Sequence, residues 1–567
     1  MATPSHGKRP TSSATLKPRF RLPSSPSGRH NSLGLSLSKG CPFLADTGDK
    51  GSPSTSSGQT VSGAAVTGDS NLYALIASAA AEAGDKPALV ESGAVRLRYG
   101  ELDGEVGRRA AALTAAGAQP GDRILVQVEK SVENVLLDLA SLRAGLVYVP
   151  LNTAYTAAEL GYFIGDAEPA VIVCDPAKEP AIAPLRGDAA LLTLDGDSGG
   201  SLPDVVAATG ETSAIVPRDT DDLAAILYTS GTTGRSKGAM LSHGNLSSNA
   251  LVLQDYWHWQ QSDVLIHALP IYHVHGLFVA LHLALLGGST MLFHKGFDAD
   301  AVLADMAQGT VLMGVPTFYV RLAAHPGLTR ETSANMRLFI SGSAPLLEAT
   351  FAEFAEKTGQ RILERYGMTE AGMITSNPYD GERIAGTVGF PLPGVEARVT
   401  DESGAEVPRG EPGVLEIKGP NLFKGYWKKP DKTAEDMRAD GFFVTGDIST
   451  MDAEGRVAIV GRAKDLIIAG GLNIYPKEIE LAIDDVPGVG ESAVVGVPHP
   501  DLGEGVVAVV TRTDPALDET AILDAIAGQL ARFKQPRKIV FVDTLPRNAM
   551  GKVQKAKLRD DYGDLFA

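Results

Sequence analysis

Apolar residues recur along this chain in two rhythms. Ala-rich stretches with helical spacing, 74–83 and 101–116, alternate with short unbroken runs of Val, Ile and Leu at 123–128 and 170–173. An unbroken apolar run suits a strand buried on both faces, and its alternation with helices is the pattern of βαβ units around a parallel sheet. The large part of the chain is therefore predicted to be α/β. Toward the C-terminal side, 415–418 and 456–460 predict shorter strands, and a boundary is predicted near 461–464.

Residues 1–66 break this rhythm. Ser, Gly, Pro and Thr dominate, and Lys8, Arg9, Lys17, Arg19, Arg21, Arg29 and Lys39 precede the first acidic residue, Asp46. Such a composition cannot bury enough apolar surface to order itself, so a disordered leader is expected. Two readings stay open: an organelle transit peptide leading to the mitochondrial matrix, or an upstream extension of a cytoplasmic protein. The sequence shows neither the apolar core of a secretion signal nor an apolar stretch long enough to span a membrane.

Length and charge narrow the class. At 567 residues the chain exceeds a single core, and 44% hydrophobic content suffices for two or more domains. A net charge of −17 argues against nucleic acid or an anionic membrane as partner, so an anionic small-molecule substrate must find local cations. Cys41 and Cys174 are the only cysteines, which excludes a disulfide framework and a cysteine metal cluster.

The local cations lie in short polar blocks. Residues 228–238, YTSGTTGRSKG, follow the apolar run 223–227 and offer Thr229, Ser230, Gly231, Thr232, Thr233, Gly234 and Lys237 to a polyanion. This is a phosphate loop, but not a Walker A loop, because Gly238 follows the lysine where a magnesium-binding hydroxyl would stand. In 362–370, ILERYGMTE, a short turn centred on Gly367 is predicted. Thr369 and Glu370 there are hard oxygen donors suited to Mg²⁺ beside a triphosphate, and Arg365 is a planar cation suited to a carboxylate. Asp447 in FVTGD could accept from two ribose hydroxyls, and Arg462 in GRAKD could reach ribose or phosphate. Lys552 follows Gly551 in 545–555, LPRNAMGKVQK, a predicted loop.

These five blocks, in this order, resemble the adenylate-forming superfamily of acyl-CoA synthetases, luciferases and peptide-synthetase adenylation domains. The resemblance runs from about Asn71 to the C-terminus. It implies a large N-terminal domain of stacked α/β subdomains over 67–462 and a small mobile α+β lid over 463–567, with a hinge at Lys464. It further implies that the loop closes over the ATP phosphates, that Thr369 and Glu370 serve ATP and Mg²⁺, that Asp447 and Arg462 hold ribose, and that Lys552 is catalytic. Gly470 and Gly471 would face the pantetheine arm of CoA. Ser236 departs from the pattern, since Pro commonly precedes the loop lysine.

The acyl pocket narrows the resemblance further. HALPIYHVHGLF (267–278), GVPTFY (314–319), LFISGSAPLL (338–347) and GTVGFPLPGV (386–395) resemble the malonate:CoA ligase branch of the family. A charged Arg365 in an apolar fatty-acid tunnel would be costly, whereas a short dicarboxylate would pair its distal carboxylate with it, assisted by His275 or Ser343. The expected activity is ATP-dependent ligation of malonate to CoA, with methylmalonate as a second substrate. The alternative is a CoA ligase for another short, aryl or fatty acid. A carrier-loading domain is disfavoured because no carrier domain precedes Ala567. The expected partners are malonate, ATP and CoA, and a homodimer is an open expectation.

Overall fold

Strands covered by helices on both faces must be apolar throughout, and Val147–Pro150, Val171–Cys174, Val311–Gly314 and Leu338–Ser341 are buried at every position. They are the central strands of two large sheets. The structure, a computed structural model, describes residues 70–566 apart from 211, 230–235, 470, 471, 501, 531, 549 and 550. The leader predicted over 1–66 lies outside them.

The first sheet has six strands in the order Ala190–Thr193, Val171–Cys174, Arg123–Gln127, Val147–Pro150, Leu223–Thr229 and Lys237–Ser242. All neighbours are parallel except the last two, which form an antiparallel hairpin. The second has nine, running Phe390–Pro391, Gly372–Ser376, Leu363–Met368, Leu338–Ser341, Val311–Gly314, Val264–His267, Thr290–Phe293, Pro87–Glu91 and Ala94–Arg98. Its middle is parallel and both edges turn antiparallel. The helices predicted at 74–83 and 101–116 are present as Leu72–Ala83, capped by the Asn71 side chain, and Tyr99–Ala115.

A third sheet is wholly antiparallel: Glu396–Thr400, Gly413–Lys418, Phe443–Met451 and Val457–Arg462. Beyond it a five-stranded sheet is built around Val489–His499 and Gly503–Arg512. Its two faces follow the alternation of a strand. Val494, Val506, Ala508 and Val510 join helices Pro476–Asp484 and Glu519–Ile526 in one cluster. Val495, Val497, Val507 and Val509 join Leu558 of Lys555–Asp561 in another. Both clusters draw only on residues from Ile467 onward, so this α+β unit has its own core.

The segment 362–370 differs from expectation. Gly367 is not the centre of a turn but lies within strand Leu363–Met368, paired with Met373 across an irregular register. A Cβ there would collide with the carbonyl oxygen of Gly372, so glycine is required by close strand approach. The turn falls at Thr369–Glu370 instead. Ligands of open α/β sheets bind outside the carboxyl ends of strands, and that is where the polar blocks gather.

Candidate active site

Thr229 and Lys237 face each other in register, so the phosphate loop caps a β-hairpin rather than leading from a strand into a helix. Ser230, Gly231, Thr232, Thr233 and Gly234 lie outside the described residues. Tyr162 donates to the Ser236 carbonyl at 2.6 Å, and Tyr228 donates to Asp166 at 2.6 Å, which fixes the base of the hairpin. The Lys237 ammonium sits 4.2 Å from the centroid of the Tyr426 ring and 4.0 Å from Asp436. Partial burial lowers its pKa, with Asp436 and Glu370 pulling the other way.

Glu370 is buried beside this lysine and accepts from the Tyr426 hydroxyl at 3.0 Å. Burial raises its pKa; the Tyr426 hydrogen bond, Arg462 and Lys237 oppose that. One carboxylate with acceptor capacity left, next to a hydroxyl at Thr369, suits Mg²⁺ that enters as part of MgATP, because Mg²⁺ is usually held by one or two carboxylates plus phosphate oxygens and waters.

Asp447 and Arg462 are cross-strand partners in the third sheet, with Nε to Oδ1 at 2.6 Å. Tyr366 donates to the other Asp447 oxygen. Burial raises the Asp447 pKa against the pull of Arg462, the Tyr366 hydrogen bond and Lys552. Lys552 arrives from the C-terminal unit on a tight turn. Gly551 takes φ +75°, the Gly551 amide donates to the Asn548 carbonyl, and the Lys552 amide donates to Asn548 Oδ1 at 3.0 Å. Burial and Arg462 lower the Lys552 pKa, while Asp447 and Glu370 raise it. Blocks spread from Lys237 to Lys552 thus converge on one charged cluster.

The other end of the cleft holds a buried cation. Arg365 is 3% exposed, and its Nε and Nη2 find no hydrogen-bond partner. Burial without a counter-ion pulls its pKa down to about 9. The guanidinium rests on Gly342, where any Cβ would overlap it. His275 lies nearby; burial first and Arg365 second hold it well below the usual histidine range, so the ring is neutral. Its Nε2 is unpartnered, and its Nδ1 is 3.3 Å from Ser343 Oγ. Ser343 itself takes φ +72°, a costly conformation for a residue with a side chain. Unpaired guanidinium donors beside a neutral imidazole are chemistry suited to an anion.

Several participants were not foreseen from the sequence. Tyr366 holds Asp447, Tyr426 holds Glu370, and Lys130 Nζ approaches His267 Nδ1 at 2.9 Å while His267 Nε2 donates to the Gly276 carbonyl at 2.9 Å. That last chain orients the entry to the π-helical turn His275–His282. Lys464 is exposed between the third sheet and the C-terminal unit, beside Asp465, which pairs with Arg559 at 2.5 Å. Gly470 and Gly471 lie outside the described residues. Among the described residues no helix is long and apolar enough to cross a membrane.

Comparison with known proteins places the chain in a family. The family model described as AMP-binding enzyme matches residues 76–427, and that of the AMP-binding enzyme C-terminal domain matches 478–552. ATP-bound MatB from Rhodopseudomonas palustris superposes with a TM-score of 0.85 at 56% identity, covering 88% of this chain and all of that one. A malonate–CoA ligase of Arabidopsis thaliana is 34% identical over 488 residues, 78% of each chain. A feruloyl-CoA synthase of an Amycolatopsis species is 35% identical over 480 residues, 84% of this chain and 96% of that one. With the family model covering most of the described chain and the polar blocks converging in one cleft, this protein belongs to the AMP-binding, adenylate-forming enzyme family.

Proposed function

We propose that the protein ligates malonate to CoA through a malonyl-adenylate, releasing pyrophosphate and AMP. The observation that carries this reading is the unpaired, buried guanidinium of Arg365. A buried cation without a counter-ion is costly, and a substrate that brings a second carboxylate removes the cost. The malonate–CoA ligase of A. thaliana supports the same substrate. A monocarboxylate with an aryl or fatty tail would leave Arg365 unpaired.

In the first half-reaction one malonate carboxylate oxygen attacks the α-phosphorus of MgATP and the bond to pyrophosphate breaks. Attack of one anion on another needs screening and alignment. Lys552 supplies charge at the α-phosphoryl oxygens, Lys237 faces the β- and γ-phosphates, and Thr369 and Glu370 would hold Mg²⁺, which would neutralise phosphate charge. Asp447 accepts from the ribose hydroxyls and Arg462 steadies it. Arg365 takes the distal carboxylate, with the unpartnered His275 Nε2–H as a further donor and Ser343 Oγ beside the ring. In the second half-reaction the CoA thiolate attacks the acyl carbon and AMP leaves. The lid over 463–567 turns about Lys464 to withdraw Lys552.

Methylmalonate needs space for one methyl, a discrimination worth about 1–3 kcal/mol, so it is a slower substrate. We place the enzyme in the cytoplasm, and a homodimer is the assembly to test by light scattering. The function is tested by AMP release with ATP, Mg²⁺ and CoA against malonate, methylmalonate, succinate, acetate and a long-chain acid. Malonate gives the highest kcat/KM; a monocarboxylate in first place overturns the assignment.

A further inference from the structure

The short segment 423–427 ties together two motifs that sequence keeps far apart. On one side it forms a β-ladder with the strand leaving the phosphate loop. The Trp427 amide donates to the Gly238 carbonyl at 2.8 Å, Met240 to Gly425 at 3.0 Å and Lys424 to Met240 at 2.8 Å. On the other side the Phe423 amide donates to the Glu370 carbonyl at 2.8 Å, and Asn421 Nδ2 donates to Ala371 and Met373 carbonyls at 2.7 and 3.1 Å.

Tyr426 lies at the middle of this strap. It is 4% exposed, packed against Phe423 with ring centroids 4.9 Å apart, and its amide donates to Thr433 Oγ1 at 2.9 Å. Its hydroxyl donates to Glu370 Oε1 at 3.0 Å, and its ring face carries the Lys237 ammonium at 4.2 Å.

We propose that Tyr426 is a positioning residue that couples the loop lysine to the metal-side carboxylate: its hydroxyl aims Glu370, its ring seats Lys237, and the strap makes the two move as one body. Resting on the roles given above to Glu370 and Lys237 at MgATP, the inference adds the element that fixes their separation. Metal-binding carboxylates depend on such outer partners, whose loss typically weakens metal affinity by about 10-fold or more.

The test is equilibrium binding of ATP to the full-length protein, by isothermal titration with Mg²⁺ and with EDTA. No acyl substrate is needed, so the outcome is separate from the assignment of malonate. In Tyr426→Phe the ring stays and the hydroxyl goes. The affinity gained by adding Mg²⁺ shrinks by about tenfold, while affinity in EDTA is unchanged. Tyr426→Leu removes the ring as well, frees Lys237 toward Asp436, and lowers affinity in EDTA by about threefold in addition. An unchanged Mg²⁺ increment in Tyr426→Phe overturns the proposal. So does an equal loss with and without Mg²⁺ accompanied by a lower melting temperature, which is the mark of a packing role. Normal Tyr426 coupling in a protein that releases no AMP with malonate would leave the strap standing and the substrate assignment refuted.

Discussion

The guanidinium of Arg365 lies against Gly342, in the space that a Cβ at that position would fill. The glycine in ISGSAP thus leaves room for the Arg365 guanidinium. Gly342→Ala pushes the guanidinium away from its seat, and misplacement by about 1 Å costs on the order of 100-fold in a positioned reaction. Steady-state kinetics should show a malonate KM raised by at least about tenfold with the ATP KM unchanged.

Lys552 stands in the cleft with Arg462, Asp447, Glu370 and Arg365 around it. Lys552→Ala removes charge where it develops in the transition state, a loss of about 100-fold or more. ATP–pyrophosphate exchange reads this directly, and ATP binding stays within about threefold, since the other phosphate and ribose contacts remain.

Lys464 sits in the single turn Ala463–Asp465 between two cores. Proline there fixes φ near −65° and restrains rotation of the lid. Lys464→Pro keeps pyrophosphate exchange within a few-fold and lowers CoA-dependent AMP release by about tenfold or more. Equal losses in both half-reactions would remove the hinge from this position.

Glu364, next to Arg365 on the same strand, is buried with Oε1 unpartnered, and burial pushes its carboxyl up to about 8. Amides of Gly386 and Leu346 partly oppose this. The folded state therefore holds a proton that the unfolded chain releases above its ordinary value of 4.5. Stability falls as pH rises between those two values and is flat outside them. Glu364→Gln should leave the melting temperature near wild type at the acid end of that window. Above about pH 8 it should raise stability by roughly 2–4 kcal/mol.

Much of this was legible from the chain. The apolar runs at 123–128, 170–173 and 223–227 located three strands of the six-stranded sheet, and the five polar blocks contain Lys237, Glu370, Asp447, Arg462, Arg365 and Lys552, which the fold brings together. What escaped were contacts that local pattern does not encode. Tyr426 lies in none of the blocks read from the sequence, and its meaning comes from Glu370, 56 residues away, and from the strand that leaves the phosphate loop. Lys130 and His267 are 137 residues apart and meet only because the two large sheets pack together. Gly367 was misplaced in a turn because a glycine required by close strand approach looks the same in sequence as one required by a turn.

The central claim is that Arg365 selects a dicarboxylate. Its most direct test compares AMP release driven by malonate and by propionate in the wild type and in Arg365→Met, which keeps bulk and removes charge. The account predicts that malonate kcat/KM falls by about 100-fold or more while propionate is unchanged or improves. Loss of both substrates in equal proportion, or an unchanged malonate KM, would contradict it.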